Sequence, residues 1–333
     1  MPARRWCSRG CAISGIDSRR TGASLRRLRI LRLTGSLVAG VVLAACAPGP
    51  VSSGPGGGTA ASLPASSSPS APGATGSSPL SSVSASPQAT PVVLHAGCPA
   101  TRLNAASSTR QRFLHAGTTN WSGYVARSTK SFSCVQGGWT QPNPTCPANG
   151  NTSLAIWVGF DGETGPSRAT LEQIGTNTDC RGGRSRTFAW FEILPRDRFE
   201  QELRLDVRAG DRIAASIAVV GRAYHMVLEN LTTGEVADTL QRSDSARRLT
   251  AEWVVEAPTI DCPSDCQVAL LASFGTIAFT GARAVLAGVT GPIGDGRWTR
   301  VRLDLESRSG LVKAKPGSLG RDGASFTVVW RHR

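Results

Sequence analysis

Histidine is scarce in this chain of 333 residues: only His95, His115, His225 and His332 occur, none at a spacing that would place two on one metal ion. No phosphate-cradling glycine loop, dinucleotide turn, nucleophile elbow or paired-histidine helix is present. Nucleotide-dependent, serine-hydrolase and metallo-hydrolase chemistry therefore have no support, and neither a metal nor a cofactor is expected. Residues 47–94 contain no charged side chain at all and are dominated by Ser, Pro, Ala and Gly. Such a stretch has too little apolar surface to offset the entropy of ordering it. The net charge of +14 is also uneven, because residues 1–45 hold nine of the 37 basic residues and one of the 23 acidic ones. The remainder is only mildly basic and lacks aromatic residues interleaved with basic ones, which gives no reason to expect a nucleic-acid partner.

What is present at the N-terminus is an export pattern. Arg26, Arg27, Arg29 and Arg32 lead into the apolar segment 33–45, which is too short for an ordinary membrane span. It ends in Leu43-Ala44-Ala45-Cys46, which resembles the lipobox of bacterial lipoproteins and implies lipidation of Cys46. Residues 1–45 then read as a signal peptide, 46–97 as a flexible tether, and 98–333 as one folded domain. The implied location is outside the cytoplasm, either anchored in the bacterial cell membrane by the lipid on Cys46 or secreted. Past Cys46 stand six cysteines, an even number in a chain bound for an oxidising compartment, so disulfides are expected rather than a metal site. Six cysteines allow many pairings, and spacing favours only Cys262 with Cys266.

From Asn120 onward, short runs of Val, Ile, Thr, Phe and Trp are cut by Gly, Pro, Asn and Asp, with no sustained helical period. Strands are predicted near 120–127, 131–141, 153–161, 169–175, 186–194, 201–207, 212–220, 223–230, 235–241, 249–256, 268–273, 275–285, 298–305 and 324–331. So many strands separated by turn signals predict an all-β fold of two packed antiparallel sheets, a β-sandwich. Alternation along a strand places Glu252, Val254 and Glu256 on one face and Trp253 and Val255 on the other. Trp253 is accordingly a core residue. By the same rule Leu171, Gln173 and Gly175 share a face, as do Phe188, Trp190 and Glu192.

Several blocks recur in a telling order: Asn120-Trp121-Ser122-Gly123, Trp157-Val158-Gly159-Phe160-Asp161-Gly162, Leu171-Glu172-Gln173-Ile174-Gly175, Ala189-Trp190-Phe191-Glu192, Glu229-Asn230-Leu231-Thr232-Thr233-Gly234, Ala251-Glu252-Trp253-Val254-Val255-Glu256 and Ser273-Phe274-Gly275. Together they resemble the glutamic peptidases, the eqolisin family. The resemblance implies a concanavalin-like sandwich, polypeptide substrates, an acidic working range and a catalytic pair at Gln173 and Glu256. It also implies that Trp157, Trp190 and Glu192 line the substrate cleft. One departure is visible, since Phe188 stands where fungal members often carry an aspartate.

The implied chemistry is self-consistent. A carboxylate at Glu256 can take a proton from water and later return it to the departing amine. The carboxamide of Gln173 never titrates in a useful range, yet offers two N–H donors and a carbonyl acceptor, enough to orient water and hold an oxyanion. Two other readings share the sandwich: an inactive carbohydrate- or peptide-binding module, and a glycosidase using Glu192 with Glu256 or Glu252. No coiled-coil or other assembly signal stands out, so a monomer is expected.

Overall fold

The computed structural model describes residues 95–99, 102–103, 113–163, 170–197, 199–260 and 267–333. The export pattern, Cys46, nearly all of the tether, and the Cys262–Cys266 pair lie outside them. No helix occurs among the described residues. The strands are β1 (Arg102–Leu103), β2 (Phe113–Thr118), β3 (Trp121–Arg127), β4 (Phe132–Thr140), β5 (Asn151–Asp161), β6 (Leu171–Arg181), β7 (Arg184–Leu194), β8 (Gln201–Leu203), β9 (Arg212–Val220), β10 (Ala223–Asn230), β11 (Glu235–Arg242), β12 (Thr250–Glu256), β13 (Thr259–Ile260), β14 (Gln267–Val268), β15 (Thr276–Leu286), β16 (Val289–Pro292), β17 (Thr299–Glu306), β18 (Val312–Pro316) and β19 (Phe326–Trp330).

Two layers follow from the pairings. Sheet I runs β2-β17-β3-β12-β5-β6-β7-β8, antiparallel throughout except for β2 beside β17. Sheet II runs β18-β19-β15-β4-β9-β10-β11, all antiparallel. The layers are joined where β17 hands over to β18. Between them, Ile156, Val158, Trp253 and Val255 of sheet I pack into one core with Trp139, Ile213, Ile217, Met226 and Phe279 of sheet II. This is the predicted β-sandwich, and Trp253 is fully buried in it with its indole N–H donating to the Gln136 carbonyl oxygen at 2.7 Å.

The strand assignments change in four ways. Strand β6 continues through Thr176, Asn177, Thr178 and Asp179 to Arg181, a polar run that reads as a turn in sequence. Its side chains are satisfied inside the fold instead: Thr176 bonds Gln141 at 2.8 Å, and Ser153 bonds both Asn177 and Asp179. The strand placed at 201–207 stops at Leu203, because Leu205 and Val207 turn in to join the core. Residues 269–273 form only isolated bridges, Leu271 to Ser153 and Ser273 to Thr145. Finally, β1, β2, β13, β16 and β18 have no counterpart among the predicted strands; the exposed residues of β2 hide its pairing to β17.

Two disulfides form: Cys98–Cys134 ties the segment before β1 to β4 of sheet II, and Cys146–Cys180 ties the connection after β4 to β6 of sheet I. Ahead of the first, the chain crosses the outer face of sheet II. The carboxylate of Glu229 accepts the Ala96 N–H and pairs with His95, Ser216 Oγ accepts the Gly97 N–H, and Gln136 accepts the Cys98 N–H.

Candidate active site

Strand β12 lies between β3 and β5, and its Ala251, Trp253 and Val255 are spent on the core. Glu252, Val254 and Glu256 are thereby turned to the opposite, outer face of sheet I. The registers of β12, β5, β6 and β7 define three cross-strand rows on that face. One holds Glu256, Ala155, Asn177 and Phe188; the next Val254, Trp157, Gly175 and Trp190; the third Glu252, Gly159, Gln173 and Glu192. Gln173, Glu256, Trp157, Trp190 and Glu192 thus stand on one face. Around them Trp121, Val125, Leu171, Phe188 and Leu194 form a second apolar cluster.

Glu256 is held on both oxygens. Asn120 Nδ2 donates to Oε1 at 2.9 Å and Trp157 Nε1 donates to Oε2 at 2.8 Å. Trp121 meets Trp157 edge-on at 4.9 Å, closing the aromatic wall around the carboxyl. Burial pushes the Glu256 carboxyl up to about 7, while the donors Trp157, Trp121 and Asn120 pull it back toward the ionised form. An acidic working range and a substrate cleft imply a carboxylate near its ordinary value, within reach of a peptide. The structure instead leaves Glu256 only 4 % exposed and Gln173 fully covered.

Gln173 is fixed through its amide: Nε2 donates to Glu192 Oε2 at 2.9 Å. Glu192 is raised well above the ordinary carboxyl value, chiefly by burial and next by repulsion from the half-buried Glu200, with the Gln173 bond opposing. Burial and this repulsion both favour the protonated form of Glu192 beside the amide. Glu252 is also raised well above the ordinary value by burial, and its Oε1 accepts the Thr250 hydroxyl at 3.0 Å.

The glycines of the sequence blocks now have a cause. A Cβ at Gly159 would lie 2.9 Å from the Trp157 ring, and one at Gly175 would lie 2.1 Å from the Ile156 carbonyl oxygen. The Trp157 ring therefore occupies the space above Gly159, between Glu252 and Gln173 in the same row. Sequence reasoning missed Asn120 as a partner of Glu256 and Glu200 as a neighbour of Glu192. Nothing local marks either; Asn120 is 136 residues from the carboxyl it holds. Among the described residues no group of acidic, histidine or cysteine side chains is arranged to hold a metal ion.

A sandwich that carries carboxyls and a carboxamide on one aromatic-walled outer face is built like a peptidase of the all-β class. The chain matches the Peptidase A4 family over residues 119–310, more than half its length, and belongs to that family; it is a glutamic-type peptidase. Its fold is similar to that of scytalido-glutamic peptidase crystallised with a peptide-based transition-state analogue, at TM-score 0.55 and 21 % identity, covering 64 % of this chain and 98 % of that one. It is also similar to SCP-B, an eqolisin solved with the tripeptide Ala-Ile-His, at TM-score 0.52 and 20 % identity over 64 % and 98 % of the two chains. No curated protein sequence matches it.

Proposed function

We propose that Gln173 and Glu256 are the catalytic pair of an endopeptidase that hydrolyses polypeptides by activating water. The observation that carries this reading is the shared outer face, where Glu256 is gripped by Asn120 and Trp157 and Gln173 by Glu192. Ionised Glu256 removes a proton from a water molecule as its oxygen attacks the peptide carbonyl carbon. An N–H of Gln173 stabilises the oxyanion, and Glu256 returns the proton to the amine as the C–N bond breaks. Trp157, Trp190 and Glu192 border the peptide. With both groups covered, a peptide reaches them only when the groove opens. Opening solvates Glu256 and removes part of the burial effect, while the Asn120 and Trp157 donors stay. An acidic working range requires this shift, because a base that ionises only near 7 would be idle in acid.

The test uses the full chain with a denatured protein substrate at acidic pH and an inhibitor of aspartic peptidases present. Fragments are expected from the parent protein, and Glu256→Gln and Gln173→Ala should each reduce cleavage at least ~10²-fold, the scale of losing a general base or an oxyanion donor. Continued cleavage by either variant removes the assignment.

The two disulfides support an oxidising compartment outside the cytoplasm for the folded domain. We further propose that residues 1–45 direct export, that Cys46 carries the lipid, and that 46–97 tether the monomeric domain 98–333 to the membrane. Cys46→Ser should release the enzyme from the membrane fraction.

A further inference from the structure

Thr118 has no part in the reaction as described, yet it stands where the chain makes a demanding passage. Strands β2 and β3 pair with opposite edges of β17, so between Thr118 and Trp121 the chain crosses from one flank of β17 to the other, with only Thr119 and Asn120 in between. The Thr118 hydroxyl closes this crossing with both of its capacities. Its oxygen accepts the Trp121 N–H at 2.8 Å, and its hydrogen is donated to the Trp121 carbonyl oxygen at 2.6 Å. Thr118, Asn120 and Trp121 are all buried. The two residues so fixed address both oxygens of Glu256. Asn120 donates to Oε1, and its carbonyl oxygen accepts the Ala257 N–H. Trp121 lies directly across from Glu256 in the pairing of β3 with β12, and its ring backs Trp157, the donor to Oε2. On its other side the Trp121 ring packs so closely over Gly162 that a Cβ there would lie 2.7 Å from it, which leaves the ring little room to follow a displaced backbone.

We propose that Thr118 is a positioning residue for the peptidase reaction: its hydroxyl fixes the crossing that delivers Asn120 to one oxygen of Glu256 and, through Trp121, braces Trp157 on the other. The inference rests on the reading of Glu256 as the catalytic base. Both hydrogen bonds of the Thr118 hydroxyl go to Trp121, so its effect on Glu256 is indirect. A catalytic group displaced by about 1 Å can lose ~10²-fold in rate, which makes a lock at this distance worth its place in the core.

The experiment uses the full chain. Thr118→Val keeps the shape and removes both bonds, Thr118→Ala removes them with less bulk, and Thr118→Ser keeps the hydroxyl. Two readouts are taken: the titration of Glu256, followed by NMR of carboxyl-labelled glutamate and assigned by its loss in Glu256→Gln, and steady-state kinetics on one peptide across pH. Thr118→Val and Thr118→Ala should move both the Glu256 titration and the acid limb of kcat/KM upward, the direction of a weakened donor, and lower kcat by about 10- to 100-fold with KM little changed. Thr118→Ser should stay close to the parent. In an Asn120→Ala background the cost of Thr118→Val should shrink, because one of its two routes to Glu256 is already gone. An unmoved Glu256 titration in Thr118→Val, a Thr118→Ser loss as large as that of Thr118→Val, or losses that simply add to Asn120→Ala would overturn the role. So would loss of the fold in both hydroxyl-free variants, read by urea unfolding, since the hydroxyl is then structural. If Glu256→Gln still cuts while Thr118→Val shifts the Glu256 titration, the catalytic reading fails and the placement of Glu256 by Thr118 stands.

Discussion

Asn120 acts twice on the proposed catalytic carboxyl: its side chain donates to Glu256 Oε1, and its carbonyl oxygen accepts the N–H of Ala257, the next residue along. Donors favour the ionised carboxyl, so removing one moves its titration up. Asn120→Ala should therefore raise the pH at which activity falls off on the acid side, by about one unit for a hydrogen bond to a charged group. A kcat/KM profile against pH measures the shift; an unmoved or lowered acid limb contradicts the role. Glu192 acts through Gln173 instead. Glu192→Gln keeps an acceptor oxygen for the amide and should retain more of kcat than Glu192→Ala, with KM changing less than kcat in both. Steady-state kinetics on one peptide reads that split.

At the scale of elements, the problem is to hold β12 against β5 so that Glu256 meets Trp157. Asp161, the last residue of β5, does this with its carboxylate. It accepts the backbone N–H groups of Arg247, Arg248 and Leu249, the residues that lead into β12. Asp161 and Arg248 both adopt positive φ, 63° and 51°, conformations that side-chain-bearing residues rarely take unless the surroundings hold them. Asp161→Asn leaves a single neutral acceptor oxygen and should destabilise the fold by about 2 kcal/mol, visible as a lower urea midpoint. Gly175→Ala acts on the next junction. With its new Cβ only 2.1 Å from a backbone oxygen, β5 and β6 must separate, and little folded protein is expected on purification.

Across the whole molecule, the notable quantity is the number of carboxyls buried with raised titration points. Glu172 is raised to about 8 and Glu256 to about 7, and Glu192 and Glu252 are raised well above the ordinary value of 4.5, in every case chiefly by burial. Between pH 4.5 and 7 the unfolded chain releases these protons while the folded chain keeps them. The folded state then binds more protons than the unfolded state, so stability falls as pH rises. It is fully present below about 4.5 and declines through the neutral range, by about 1.4 kcal/mol for each unit of elevation per group. The melting temperature should be higher at pH 4 than at pH 8; the reverse order contradicts the burial of these groups. Such a fold suits acidic surroundings independently of the mechanism.

The sequence by itself determined which side chains share a face, because alternation along a strand is a property of the covalent backbone and needs no partner. Hence Trp253 could be assigned to the core and Glu256 to the opposite face from β12 alone. The motif blocks likewise carried Gln173, Trp157, Trp190 and Glu192 to the same site. Which strands become neighbours was decided only in three dimensions, since pairing joins residues far apart in the chain and Asn120, Trp121 and Trp157 reach Glu256 across 99 residues or more. The electrostatics of the site were decided there too: an isolated glutamate is acidic anywhere in a sequence, and only exclusion from water raises Glu256 to about 7 and Glu192 well above the ordinary carboxyl value beside Gln173.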